Sequence, residues 1–175
     1  MPRASPCRRR PGAPFGSTWP GLSTGTGSSV RVSAWPEPTP RRSTALGADP
    51  GDVEYLDVED LLALAAGLLG DPPPIRDLGL LGSAAARPAA SAFGEEAYSD
   101  LWLKGAALLQ SLVKNHPLID GNKRLGWLST AVFLEVNGVA AARATNDDVY
   151  DLVIHVAGSQ RSVEAIAAGL RRILP

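Results

Sequence analysis

A chain of 175 residues is long enough for one domain with a substantial core. Its formal charge of −1 hides a division: residues 1–50 carry seven arginines against Glu37 and Asp49, while the remainder carries ten basic and sixteen acidic residues. The only cysteine, Cys7, excludes an intrachain disulfide, which fits a reducing cytoplasm, and no apolar run approaches the length of a membrane span.

The first fifty residues hold nine of the fifteen prolines and stretches such as Ser23-Thr-Gly-Thr-Gly-Ser-Ser29, with no helical or strand periodicity. A segment so poor in apolar residues cannot offset its ordering entropy, so residues 1–50 are expected to be disordered, and residues 51–175 to form the folded domain. No apolar stretch follows Arg8-Arg-Arg10, so these arginines are not expected to open a secretory signal. The two arginine clusters lack regularly interleaved aromatics, and no direct nucleic-acid binding by the domain is expected.

Within the domain the pattern is helical throughout. Asp57 is placed to cap a first helix over 58–69, where Val58, Leu61, Leu62 and Ala65 recur at helical spacing and Gly70 supplies the stop. A short second helix follows Asp77 and ends at Arg87-Pro88. After a small-residue linker over 89–94, a third helix is predicted over 95–114. Glu95 and Glu96 suit its first turn and Lys114 its last; Ala97, Leu101, Leu108 and Leu112 form its core stripe. A fourth helix starts near Asn122 and ends at Asn137-Gly138, with Leu125, Leu128, Val132 and Val136 on one face. Thr145 caps a fifth, lined by Val149, Leu152, Val153 and Val156. Ser162 caps a sixth, carrying Val163, Ile166, Leu170 and Ile173. His155 sits mid-helix, away from the loop between the third and fourth helices, and reads as structural. The expected fold is an all-α bundle of about six helices.

Between the third and fourth helices lies the stretch His116-Pro-Leu-Ile-Asp120-Gly-Asn122-Lys123-Arg124. Pro117 cannot continue a helix, and Gly121 can turn the chain at positive φ. The next helix start offers unpaired N–H groups at the positive end of its dipole, a ready anion site. Cations gain nothing from that dipole end, so Lys123 and Arg124 there point to an anionic ligand such as phosphate. Asp120 beside a phosphate suits a carboxylate that carries a hard cation such as magnesium; its bland alternative is an N-cap. His116, with a reference pKa near neutrality, can take a proton from an attacking hydroxyl. Base, metal ligand and phosphate nest within nine residues describe a site for phosphoryl-type transfer.

The same nine residues resemble the signature of the Fic/Doc family, His-x-Phe-x-Asp/Glu-Gly/Ala-Asn followed by Gly or Lys and then Arg. The likeness extends over about 55–174, through Ile75-Arg-Asp-Leu-Gly-Leu-Leu81, Ala86-Arg-Pro88, Leu112-Val-Lys-Asn115 and Ala144-Thr-Asn-Asp-Asp148. Lys123, rather than glycine, resembles the Doc branch, the death-on-curing toxins. Leu118 stands where the family has a Phe that packs under the loop, and Trp127 where the Fic branch often has a second phosphate-binding Arg.

The resemblance implies transfer of the γ-phosphoryl group of ATP to a protein hydroxyl, with elongation factor Tu as target. It implies His116 as general base, Asp120 as the Mg2+ ligand, and Gly121, Asn122, Lys123 and Arg124 around the phosphates. It also implies a small Phd-like antitoxin as partner, and a flap over 89–94 with an edge for an extended target segment; an ordinary interhelix loop is the alternative there. Two other functions stay open from sequence: AMP transfer, as in the Fic branch, and a degenerate module that only engages an antitoxin and its operator. Ser91 to Glu96 nearly matches the Fic self-inhibitory pattern, but Glu96 breaks its last position. Doc-like chains typically begin near a segment like Tyr55-Leu-Asp-Val-Glu-Asp60, and a valine codon can start translation, so a true start at or near Val53 is expected.

Overall fold

The computed structural model describes residues 53–174; the expectations for the first fifty residues lie outside them. Six α-helices carry the domain: α1 (Val58–Leu69), α2 (Leu78–Ala86), α3 (Leu101–Asn115), α4 (Asn122–Val136), α5 (Asn146–Gly158) and α6 (Val163–Ile173). A two-stranded hairpin, β1 (Ser91–Ala92) and β2 (Glu95–Glu96), stands between α2 and α3. The all-α class holds. Among the described residues no helix is long and apolar enough to cross a membrane.

Most helix starts are set by short side chains that bind the otherwise orphaned first-turn N–H groups. Asp57 and Asp60 form a reciprocal box on α1, each carboxylate accepting the other's N–H at 2.9 Å. Asp77 accepts from Leu80 N–H at 3.0 Å, Asp100 from Leu103 at 2.9 Å, Thr145 from Asp148 at 3.2 Å and Ser162 from Ala165 at 3.3 Å. The second oxygen of Asp100 takes the Arg171 guanidinium at 2.8 Å and ties α6 to the start of α3.

Helix α3 is the axis of the bundle. It packs against α2, α4, α5 and α6, while α1 closes over α2 and α4. Nine of its fifteen residues are buried, including Gly105, Ala106 and Ala107, because neighbours cover it on nearly every side. Its most extensive contact is with α4. A Cβ on Gly126 would lie 2.8 Å from Val113 Cγ2, and one on Gly105 would lie 3.5 Å from Leu134 Cδ2. Helices α5 and α6 bury the predicted stripes: Val149, Leu152, Val153 and Val156 on one, Val163, Ile166, Leu170 and Ile173 on the other.

Two expectations are corrected. The third helix does not begin at Glu95: Glu95 and Glu96 form β2, Ala97 is exposed, and α3 starts after the Asp100 cap. Phe93 (φ 54°) and Gly94 (φ 86°) make a left-handed two-residue turn that reverses the chain. Ala97 N–H then donates to Ala90 O at 2.9 Å and closes the hairpin's base. The linker is a hairpin, with Phe93 fully exposed at its tip.

No hairpin residue over 91–96 is buried, so polar ties hold it. The Lys104 side chain, 3% exposed, donates to Glu96 at 2.8 Å and Tyr55 at 2.9 Å. Burial alone would lower the Lys104 pKa, but its hydrogen bonds to Glu96 and Tyr55 outweigh this and hold it above the usual lysine value.

The second correction concerns the buried face of α4. Of the predicted stripe only Leu125 is buried; Leu128 and Val132 are half-covered and Val136 is exposed. The true face is Leu125, Gly126, Ser129, Thr130, Phe133 and Leu134. Small residues let α4 press against α3, and the Thr130 hydroxyl is satisfied inside the helix by Gly126 O at 2.8 Å. A pattern weighted towards large apolar residues selects the wrong side of such a helix.

This packing predicts opposite effects for two alanines. Gly126→Ala should destabilise the fold by about 1–2 kcal/mol, since overpacking outweighs the gain in helix propensity. Gly67→Ala on α1, where an added Cβ meets nothing within 4 Å, should instead stabilise by about 0.5–1 kcal/mol. Urea midpoints of the two variants measure both; a stabilising Gly126→Ala would contradict the close α3–α4 contact.

Candidate active site

The loop over 116–121 joins the end of α3 to the start of α4, and local chemistry fixes both ends. Pro117 disfavours the right-handed helical region for the residue before it, so α3 stops at Asn115. His116 is the C-cap, in the left-handed region at φ 51°, ψ 58°, with its side chain exposed. Among the described residues no protein group hydrogen-bonds its imidazole. At the other end Gly121 turns the chain at φ 85°, and an added Cβ there would also lie 2.7 Å from both Leu69 methyl groups.

Between these ends the loop is braced from two directions. From below, Leu118 is 1% exposed and fills the position under the loop, so a large apolar anchor is present. Its backbone is clamped by the buried Asn122 carboxamide, which accepts from Leu118 N–H at 2.8 Å and donates to Leu118 O at 2.9 Å. From the side, the segment before α2 pairs with the loop through an antiparallel bridge between Ile75 and Leu118. Ile119 N–H donates to Pro74 O at 2.8 Å, and Arg76 and Asp77 N–H both donate to Pro117 O, at 2.8 and 3.0 Å. The Arg76 guanidinium donates to Asn115 O at 2.7 Å.

Helix α4 differs from α1, α2, α3, α5 and α6 at its start. Its N-cap is Gly121, which has no side chain to cap it. The N-cap alternative for Asp120 is therefore not realised. Its side chain is 87% exposed, and its charged partner is Arg124, at 3.5 Å in an i,i+4 pair whose arginine side chain is 34% exposed. Lys123 is exposed, with no ion-pair partner among the described residues. The first turn thus presents uncapped N–H groups and two cations with one weakly held carboxylate beside them. A side-chain cap would have used those N–H groups; its omission leaves them for an anion.

The structure distributes roles among the predicted residues unevenly. His116, Asp120, Lys123 and Arg124 keep side chains that can reach a ligand. Gly121 contributes conformation. The Asn122 side chain is committed to Leu118 on both of its polar atoms, so only its backbone N–H is available to a phosphate. Sequence reading missed Arg76, whose contact to Asn115 spans 39 positions and leaves no local pattern. Among the described residues no group of three or more His, Cys, Asp or Glu side chains could by itself hold a metal. His155 lies exposed on α5, its Nδ1 2.6 Å from Asp151 O, remote in role from this loop.

A model of the Fic/DOC family matches residues 55–134, which include α1 and the whole loop up to the buried end of α4. A curated relative from Mycolicibacterium smegmatis, described as "Toxin Doc", is 48% identical over 118 residues, 67% of this chain and 91% of the relative. This chain belongs to the Fic/DOC family. Membership places the nine-residue loop in the part of the chain that the family model covers.

The clamp yields a direct test. Asn122→Ala leaves Leu118 N–H and C=O without their partner, and should cost about 1–3 kcal/mol of stability. It should also accelerate amide hydrogen exchange at Leu118. Unchanged exchange at Leu118 would contradict the bracing role.

Proposed function

We propose that the protein is the toxin of a toxin–antitoxin pair and acts by transferring the γ-phosphoryl group of ATP to a hydroxyl of a protein of translation. Elongation factor Tu is the target expected for its branch. The observation that carries this reading is the start of α4. It is uncapped and carries two cations in its first turn, two residues beyond an exposed carboxylate and within one loop of an unengaged histidine. Membership in the family and the likeness to a protein described as a Doc toxin support it.

Each residue has a part in the transfer. The α4 N–H groups, with Lys123 and Arg124, hold the triphosphate and offset its charge. His116 accepts the proton of the target hydroxyl as that oxygen attacks the γ-phosphorus; the bond from phosphorus to the bridging oxygen breaks, and ADP leaves. Asp120 would hold Mg2+ through its carboxylate. An oxygen donor of this kind fits a small hard cation that keeps several waters. When bound, the metal neutralises charge on the phosphates. A small Phd-like antitoxin restrains the activity until it is released.

Purified protein, a cell extract and ATP labelled at either the γ or the α position test the reading. γ label should appear on a protein of the extract, and His116→Ala should reduce transfer by about 10²–10⁴. Because His116 is exposed, melting of the variant should match the parent. α label on protein would replace the reading with AMP transfer, and absence of both would leave a binding module.

A further inference from the structure

We infer that Arg76 is a positioning residue for His116: it fixes the backbone of the proposed general base by bonding to the carbonyls on both sides of it. The inference rests on the reading of His116 as base. His116 occupies a left-handed conformation that residues with side chains adopt sparingly and keep only when their surroundings over-determine it. Pro117 disfavours the right-handed alternative and Asp77 N–H holds Pro117 O at 3.0 Å, but among the described residues Arg76 is the one bonded to a carbonyl on each side of His116. The Arg76 main-chain N–H holds Pro117 O at 2.8 Å, and its guanidinium holds Asn115 O at 2.7 Å.

Asn115 O is one of the last carbonyls of α3, left without an intrahelical partner and lying at the negative end of the helix dipole. A guanidinium there makes a short, charge-assisted hydrogen bond. Arg76 forms no salt bridge among the described residues, and the hydrogen bond its exposed side chain makes is the one to Asn115 O. The carboxamide of Asn122 anchors the loop from Leu118 onward, but it does not reach the α3 side of His116. Arg76 is the side chain that spans it. An imidazole displaced by a fraction of an ångström would still bind no worse to its substrates, yet would meet the hydroxyl proton less often.

Arg76 could alternatively be only a cap on α3, and kinetics separate the two. Arg76→Met keeps the stem and removes the donors; Arg76→Lys keeps a cation that can reach the same carbonyl. With γ-labelled ATP, Arg76→Met should lower kcat by about tenfold or more, since small misplacements of reacting groups carry penalties of that size. KM for ATP should stay within about twofold, as expected when only the reacting geometry is lost. Arg76→Lys should restore most of kcat. Amide exchange at Ile119, which is bonded to Pro74 O, should quicken in the Met variant and not in the Lys variant.

Parental kcat in Arg76→Met, or a loss that lysine does not restore, would overturn the inference. Should the parent itself transfer no phosphate, the proposed function fails separately and exchange alone decides: quickened exchange at Ile119 retains Arg76 as the loop's brace, and unchanged exchange removes it.

Discussion

The two hydrogen bonds between the Asn122 carboxamide and the Leu118 backbone decide most of what this domain can do. They turn the first residue of α4 inward and spend its side chain on the loop, while the capping position just before it is a glycine. With Gly121 as N-cap, no side chain remains to satisfy the first-turn N–H groups. Lys123 and Arg124 then stand at the positive end of a dipole, where they gain nothing from the helix itself. An arrangement that is unfavourable for a bare helix becomes sensible once an anion completes it.

The rest of the fold keeps that loop still. Helix α3 is covered on almost every side, and α4 lies against it closely enough that Gly126 admits no side chain without displacement. The helix pair is therefore a stiff base for a six-residue connection. The segment from Pro74 to Asp77 adds a second brace, joining the loop as a short antiparallel bridge. The hairpin is built differently. It buries nothing of its own and is tied by Lys104 to Glu96, while just beyond its base the Arg87 guanidinium holds the Tyr98 hydroxyl at 2.9 Å. A rigid loop and a lightly tethered hairpin thus sit on the same axial helix.

How much of this was legible in sequence depended on how local each cause was. Caps were readable because Asp57, Asp77, Thr145 and Ser162 act within three residues of themselves. The faces of α5 and α6 were readable because large aliphatic residues mark them. Helix α4 was misread because its buried face runs through Gly126, Ser129 and Thr130, which hydrophobic periodicity ignores. The hairpin was misread because Glu95, Glu96 and Ala97 favour helix on their own. The reversal at Phe93-Gly94 and the pull of Lys104 on Glu96 override that preference. The loop's composition is what carries the proposal of a phosphate site, whereas Asn122 as brace and Arg76 as clamp come only from three-dimensional contacts.

The central claim is that the uncapped start of α4 receives phosphate. Backbone amide resonances followed during titration with ADP and magnesium test it most directly. The account predicts the largest shifts at the amides of Asn122, Lys123 and Arg124, with none at the capped start of α5 around Asp148. Shifts absent from residues 122–124, or concentrated elsewhere in the domain, would contradict it.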